Sequence, residues 1–544
     1  MTTPMTTETE TIEKPALPFT IDEEAFSIWL KNLNVENKLA TLQILSNTLT
    51  ILKQIDIHTD IRSFFLERIS TLVFQFSEQL QQTYIKSFFP FSADDNLKVE
   101  LSIDCSMELA ENYALICKDP SFKTTAIFSP QQKALILFNG IQAMTNVHLY
   151  KALIYQKPGK GFWSLCFLFY LFAKQNEVLE LVPEHQDSCF IKLFKTLLVF
   201  ELSNSQQFNS KEIHDVFNLL NTVPGHIDLV PMVPGKTVNS VASINLRGDA
   251  PPAVNKEMID EASPYLFYVS CLNLIQRLFE LTARNRNTTY SNKVIVLRLI
   301  KALSLNQHRQ TERELSDNEF FAEIGFDTFN EFLLYKESIL KTKGAISYEV
   351  RDLSLDEHFN EDTHDDRFGF RNEMDVGLSL QKGPDGEKVE YIDSTDIWAE
   401  EEKGPEPNIK IIDQSRLGFF LHLNDENAAT KVGDTIHLKM MPTSVLTVVR
   451  RIISNNKNEV AIGVEILGYD PELLHIMDIE NDGAKTACIL RNVDGEESII
   501  IKADEFKNQE FIVADRNDKI IRYRVEKILN SSTATIKHLK VSLS

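Results

Sequence analysis

A chain of 544 residues is long enough for two to four domains with sizeable cores, and a hydrophobic share of 43% is that of a globular protein rather than a disordered one. Its formal net charge of −22 argues against a broad nucleic-acid-binding surface, because phosphate neutralisation needs clustered Lys and Arg, so an anionic ligand must find a local basic pocket. Cys105, Cys117, Cys166, Cys189, Cys271 and Cys488 show neither C-x-x-C nor Cys/His spacing, so they read as small hydrophobes with no metal site and no disulfide framework, which fits a reducing cytoplasm.

Residues 1–20, led by the Thr-, Glu- and Pro-rich run from Met1 to Pro18, read as a disordered tail with no secretion signal. From Ile21 to about Asn221 the pattern is helical. Leu42, Leu45, Leu49 and Leu52 recur at helical spacing, as do Ile61, Phe65, Ile69 and Leu72, each giving one apolar stripe to pack. Further helices are expected at Met107 to Cys117, Ser129 to Leu153, Gly161 to Gln175, Gln186 to Leu202 and Ser210 to Leu220, an α-helical array without a fixed repeat. The apolar run from Phe162 to Phe172 ends at Lys174, well short of the about 20 residues a membrane span needs, and reads as a core helix. Between Val223 and Pro252, Pro224, Gly225, Pro231, Pro234, Gly235, Gly248, Pro251 and Pro252 break the helical period, which marks a loop or small β insertion near 223–252. Helices are expected to resume at about Ser263, and the helical domain to close at residue 304.

Glu319 to Phe326 reads as a strand and Asp327 to Leu340 as a helix-like segment. From about Tyr348 to Glu406, Asp and Glu dominate and large aliphatics are sparse, so burial cannot offset ordering entropy and a mobile acidic insertion is expected. It is either merely solvating or an autoinhibitory tether that competes for a basic pocket. Beyond it, Ile411-Ile412-Asp413-Gln414-Ser415-Arg416-Leu417-Gly418-Phe419-Phe420-Leu421 sets a D-x-S-x-x-G turn between two strand-like runs. As residues alone, this is either a ligand-holding turn or a plain one, since Asp, Ser and Gly are ordinary turn formers. Strands at Val445 to Arg451 and Val460 to Leu467 complete a short antiparallel meander.

With D-Q-S-R-L-G, the V-V-R-R strand and A-I-G-V-E-I-L on the page, the chain from about 305 to 470 resembles the PilZ domain family, six-stranded barrels that bind the bacterial second messenger cyclic di-GMP. The resemblance implies a barrel interrupted by the acidic insertion near 348–406, in a larger bacterial protein with a helical N-terminal region. It also implies ligand contacts from Asp413, Ser415 and Gly418 and from an R-x-x-x-R motif. Two matches compete: Arg309 with Arg313, which precede the first strand, and Arg367 with Arg371, which lie in the acidic stretch. The first pair is preferred on context. A planar guanidinium meets phosphates and guanine edges bidentately, Asp413 can accept from guanine N1–H and the amino group, and Gly418 lets backbone approach.

Residues 471–544 alternate short β-like runs at Thr486 to Leu490, Glu497 to Ile501, Gln509 to Val513 and Arg522 to Leu529, which read as a second small β domain. The expected fold class is therefore multidomain α + β: an N-terminal α-helical array, a PilZ-like antiparallel β-barrel and a second small β domain. Twelve dispersed histidines and the lack of H-x-x-E-H or G-x-S-x-G patterns give no catalytic residue, so the chain is not expected to be an enzyme or to need a cofactor. The expected function is a cytoplasmic cyclic di-GMP receptor or adaptor, with a protein partner through the helical scaffold, no nucleic acid and no transmembrane segment. The alternative is a PilZ-like interaction scaffold that has lost nucleotide binding.

Overall fold

The computed structural model describes residues 16–87, 89–123, 127–233, 242–254, 263–284, 290–304, 314–316, 318–342, 408–423, 430–440, 443–454, 459–478, 483–492, 495–503, 511–516, 519–530 and 536–543. It comprises a helical region followed by antiparallel β-barrels.

The helical region begins with α1 (Glu23–Lys31), α2 (Lys38–Gln54), α3 (Thr59–Tyr84), α4 (Ala93–Lys118), α5 (Pro130–Leu153), α6 (Phe162–Gln175), α7 (Phe190–Leu202) and α8 (Ser210–Thr222). The α2 stripe of Leu42, Leu45, Leu49 and Leu52 is fully buried, each side chain contributing about 1.5–3 kcal/mol. On α3, Phe65 and Ile69 reach the core, but Ile61 and Leu72 are only half-buried, because their neighbours Val73 (beside Leu72) and Arg62 (beside Ile61) take the inner positions. The Arg62 guanidinium donates to the Leu52 and Ile55 carbonyls and to Asn112 Oδ1, at 2.5, 2.9 and 3.1 Å, and so satisfies orphan acceptors at the end of α2. Phe19 falls within the expected tail, yet it packs edge-on against Phe26 and Phe65.

Helix α5 is buried on nearly all sides, and α4, α6, α7 and α8 surround it. A capping box starts it: Ser129 Oγ accepts from Gln132 N while Gln132 Oε1 accepts from Ser129 N, with Pro130 at the first helical position. Helix α6 holds the long apolar run and has only 14 residues; among the described residues, no helix is long and apolar enough to cross a membrane. Its N-cap is Gly161, which has no side chain to cap with. Asp249 supplies the cap from a distance, accepting from Gly161 N at 2.6 Å and Ser164 N at 2.9 Å, and those two N–H groups hold its carboxyl below the usual range.

Where the helical period breaks, the chain forms a four-stranded sheet from β1 (Asp228–Pro231), β2 (Ala242–Asn245), β3 (Ala253–Val254) and β4 (Leu266–Ser270), in the order β1-β4-β2-β3. The expectation that helices resume at Ser263 is corrected here. Leu266–Ser270 alternates half-buried and buried residues, with Phe267 against Tyr170 of α6, so it completes the sheet as β4. Helices then return as α9 (Leu272–Arg284) and α10 (Tyr290–Leu303). Arg298 of α10 is tied to Glu212 of α8 at 3.0 Å.

The β region contains β5 (Glu314–Leu315), β6 (Glu319–Ile324), α11 (Phe326–Thr342), β7 (Ile409–Ser415), β8 (Gly418–Leu423), β9 (Thr435–Met440), β10 (Thr443–Ser454) and β11 (Val460–Asp478). It ends with β12 (Gly483–Arg491), β13 (Glu497–Lys502), β14 (Phe511–Arg516), β15 (Lys519–Asn530) and β16 (Ile536–Leu543). Strands β10-β9-β6-β7-β8-β11 run side by side, and β10 pairs back with β11 to close a six-stranded barrel. The second half of β11 starts another ring, β11-β12-β13-β16-β15-β14, closed where His475 and Ile476 face Asp515 and Ala514. One 19-residue strand thus serves both barrels.

The sequence suggested that this strand ends at Leu467. It continues because Gly468-Tyr469-Asp470-Pro471 forms a bulge rather than a turn: Asp470 takes φ +47° and the ladder with β12 shifts between Tyr469 and Glu472. Helix α11 fills the angle between the barrels, with Phe326, Phe329 and Leu333 packed among Leu446, Val448, Leu467, Leu490 and Ile500. The helical region meets the first barrel through two backbone hydrogen bonds, Ser454 N to Tyr155 O (3.1 Å) and Thr430 N to Phe89 O (2.6 Å), with the Phe89 and Tyr155 rings 5.0 Å apart.

Candidate functional site

The D-x-S-x-x-G motif is the β7–β8 hairpin. Ser415 faces Gly418 across a two-residue turn, Arg416-Leu417, and the Ser415 hydroxyl donates to the Gly418 carbonyl at 3.1 Å. Gly418 lies against the neighbouring strand β11: a Cβ there would sit 2.1 Å from the Val464 carbonyl oxygen. Close backbone approach does explain this glycine, but the approaching backbone is the barrel's own.

Asp413 follows a bulge in β7 that shifts the register between Ile411 and Asp413. It pairs with Phe420, so both side chains stand on the outer face, opposite to the buried Phe419, Leu421 and Leu423. The row continues across the barrel: Phe420 pairs with Gly463 of β11, and Gly463 with Arg451 of β10. A Cβ on Gly463 would lie 2.7 Å from both Cγ and Nε of Arg451, so the arginine side chain runs flat over the glycine. It ends with its guanidinium 5.1 Å from the Phe420 ring centroid. Next to it in sequence, Arg450 is held to Glu465 at 2.5 Å.

On its other side, β7 pairs with β5: Leu315 faces Asp413 and Glu314 faces Gln414. Glu314 is the residue that follows Arg313. Arg309, Arg313, Arg367 and Arg371 all lie outside the described residues. The described part of the candidate site therefore brings Asp413, Ser415 and Gly418 onto one hairpin. It also adds Phe420, Gly463 and Arg451, which the sequence reading did not single out. The only signal for them was outward phase on β8, β11 and β10, and phase is blind to which strands lie side by side.

No group of three or more His, Cys, Asp or Glu that could hold a metal ion occurs among the described residues. All six cysteines are free and buried; burial pushes the Cys105 and Cys271 thiols up to about 12, which leaves them unreactive.

Residues 24–232, from α1 to the end of β1, match the family described as "Cyclic-di-GMP receptor FimW, N-terminal domain". Over these residues the chain is similar to the N-terminal domain of a cyclic di-GMP receptor family. No curated protein and no solved structure matches it. The match spans α1 to α8 and β1, and the remaining helices and the barrels follow it in the same chain.

Proposed function

We propose that the chain receives cyclic di-GMP on the outer face of its first barrel, a PilZ-like domain, with Asp413, Ser415 and Gly418 on the β7–β8 hairpin and Arg309 and Arg313 on the segment leading into β5. The observation that carries this reading is the pairing of Glu314-Leu315 with Asp413-Gln414, which attaches the chain just after Arg313 to the D-x-S-x-x-G strand. It favours the first arginine pair over Arg367 and Arg371. The chain acts as a cytoplasmic receptor or adaptor without catalysis, and the helical region passes ligand occupancy to a partner protein.

Calorimetry tests the arginine choice. Arg309→Ala and Arg313→Ala should each weaken cyclic di-GMP binding by about 1.5–3 kcal/mol, the scale of a hydrogen bond to a charged group. Loss in Arg367→Ala or Arg371→Ala, with both of the first variants unchanged, would reverse the choice. One observation favours the rival reading, a barrel kept as an interaction scaffold after losing nucleotide binding: Ser415 closes the hairpin on itself and Gly418 packs it against β11, so both residues have structural roles. A chain that shows no binding heat in any variant would establish that rival.

A further inference from the structure

Arginine 451 belongs to the same outer row as Asp413, and the way it is held suggests a purpose. Its side chain is laid flat by the absence of a side chain at Gly463 and by the Phe420 ring under its guanidinium. Neighbouring strands lie about 4.8 Å apart. Asp413 is one strand from Phe420 on one side, and the Arg451 guanidinium reaches back over Gly463 from the other. A carboxylate and a planar cation therefore flank one aromatic ring on a single face, and both side chains are half-buried.

Guanine presents donors, N1–H and the 2-amino group, along one edge and acceptors, O6 and N7, along the next. Adenine reverses the pattern at the two positions that matter, with an acceptor at N1 and an amino donor at C6. A carboxylate facing the first edge and a guanidinium facing O6 and N7 accept guanine and reject adenine. The bidentate fork of arginine fits O6 and N7, whereas a lysine offers only a point charge.

We infer that Arg451, pre-positioned by Gly463 and Phe420, reads the O6/N7 edge of a guanine whose N1–H edge is held by Asp413, and so makes the site selective for guanine over adenine cyclic dinucleotides. This inference rests on the ligand site proposed above and adds a residue outside both of its motifs.

The test is titration of the full chain and its variants with cyclic di-GMP and with cyclic di-AMP, with circular dichroism to monitor folding. Arg451→Ala should weaken cyclic di-GMP binding tenfold or more while changing the weak cyclic di-AMP affinity less than twofold, so that the preference collapses. Arg451→Lys should lose the preference although it keeps the charge. Gly463→Ala should act in the same direction, because its Cβ displaces the guanidinium from Phe420. If Arg451→Ala fails to fold, the latter two variants decide. Should the unmodified chain bind cyclic di-GMP and Asp413→Ala weaken it, while Arg451→Lys and Gly463→Ala bind and discriminate like the unmodified chain, the inference is overturned and the ligand site stands. An unmodified chain that binds neither dinucleotide overturns both.

Discussion

Replacing Gly418 by alanine asks whether that glycine serves the ligand or the barrel. The added Cβ would meet the Val464 carbonyl oxygen at 2.1 Å, the Val464 carbonyl carbon at 3.1 Å and Glu465 Cα at 3.3 Å. All three are backbone atoms of β11, the strand shared by both barrels, so no rotamer change relieves the clash and either β8 or β11 must shift. Overpacking of this kind costs about 1–3 kcal/mol, and a collision with backbone belongs at the upper end. Native-state amide exchange reads the cost directly: about 2–3 kcal/mol of local destabilisation speeds exchange at Phe419, Leu421 and Val464 by roughly 30- to 150-fold. Gly463→Ala provides the contrast on the adjoining pair, since its Cβ meets an arginine side chain that can swing away. Its exchange should accelerate no more than about fivefold, equivalent to about 1 kcal/mol. Equal, small effects at the two glycines would refute the claim that Gly418 is required by the packing of β8 on β11.

Three further outcomes follow from the same geometry. Ser415→Ala removes the hydroxyl that donates to the Gly418 carbonyl and should lower stability by about 0.5–1.5 kcal/mol in urea unfolding; no change would mean that the hairpin does not depend on this bond. His538, in the second barrel with Nε2 2.8 Å from Ser498 Oγ, is pushed down by burial to about 4. The unfolded chain therefore takes up a proton that the folded one refuses as pH falls from near 6.5 to 4, so His538 costs the fold up to about 3 kcal/mol across that window. Full stability is present above pH 6.5, and His538→Gln should flatten the decline below it; identical pH profiles for the two proteins would contradict this. Deleting Leu355 to Glu402 should tighten cyclic di-GMP binding, more at low than at high salt, if the acidic stretch competes for a cationic site; affinity equal at both ionic strengths would make it a passive linker.

The helices were legible where a local period sufficed. The α2 stripe of four leucines and the segment that became α11 each carry a 3.6-residue pattern strong enough to read alone. What required the fold was everything set by neighbours far along the chain. Arg62 takes the inner position expected of Ile61 on α3 because carbonyls at the end of α2 need a donor, and no window of sequence shows that need. Leu266–Ser270 is short enough to pass for the start of a helix, and only its partners β1 and β2 make it a strand. Gly468-Tyr469-Asp470-Pro471 has the composition of a turn, yet it serves as a bulge that carries β11 from one barrel into the next. At the site, the hairpin motif was visible as a motif. The row from Asp413 through Phe420 and Gly463 to Arg451 was not, because cross-strand register joins residues that the sequence keeps apart.

The most direct test of the account is isothermal calorimetry of the full chain with cyclic di-GMP, repeated on Asp413→Ala. Saturable binding to the unmodified chain is expected, with at least a tenfold loss in Asp413→Ala and thermal unfolding in the absence of ligand nearly unchanged, because Asp413 stands on the outer face of the barrel. Equal affinity in the two proteins, or a sharp fall in unfolding temperature with affinity untouched, would contradict it and leave the β7–β8 hairpin as a plain turn.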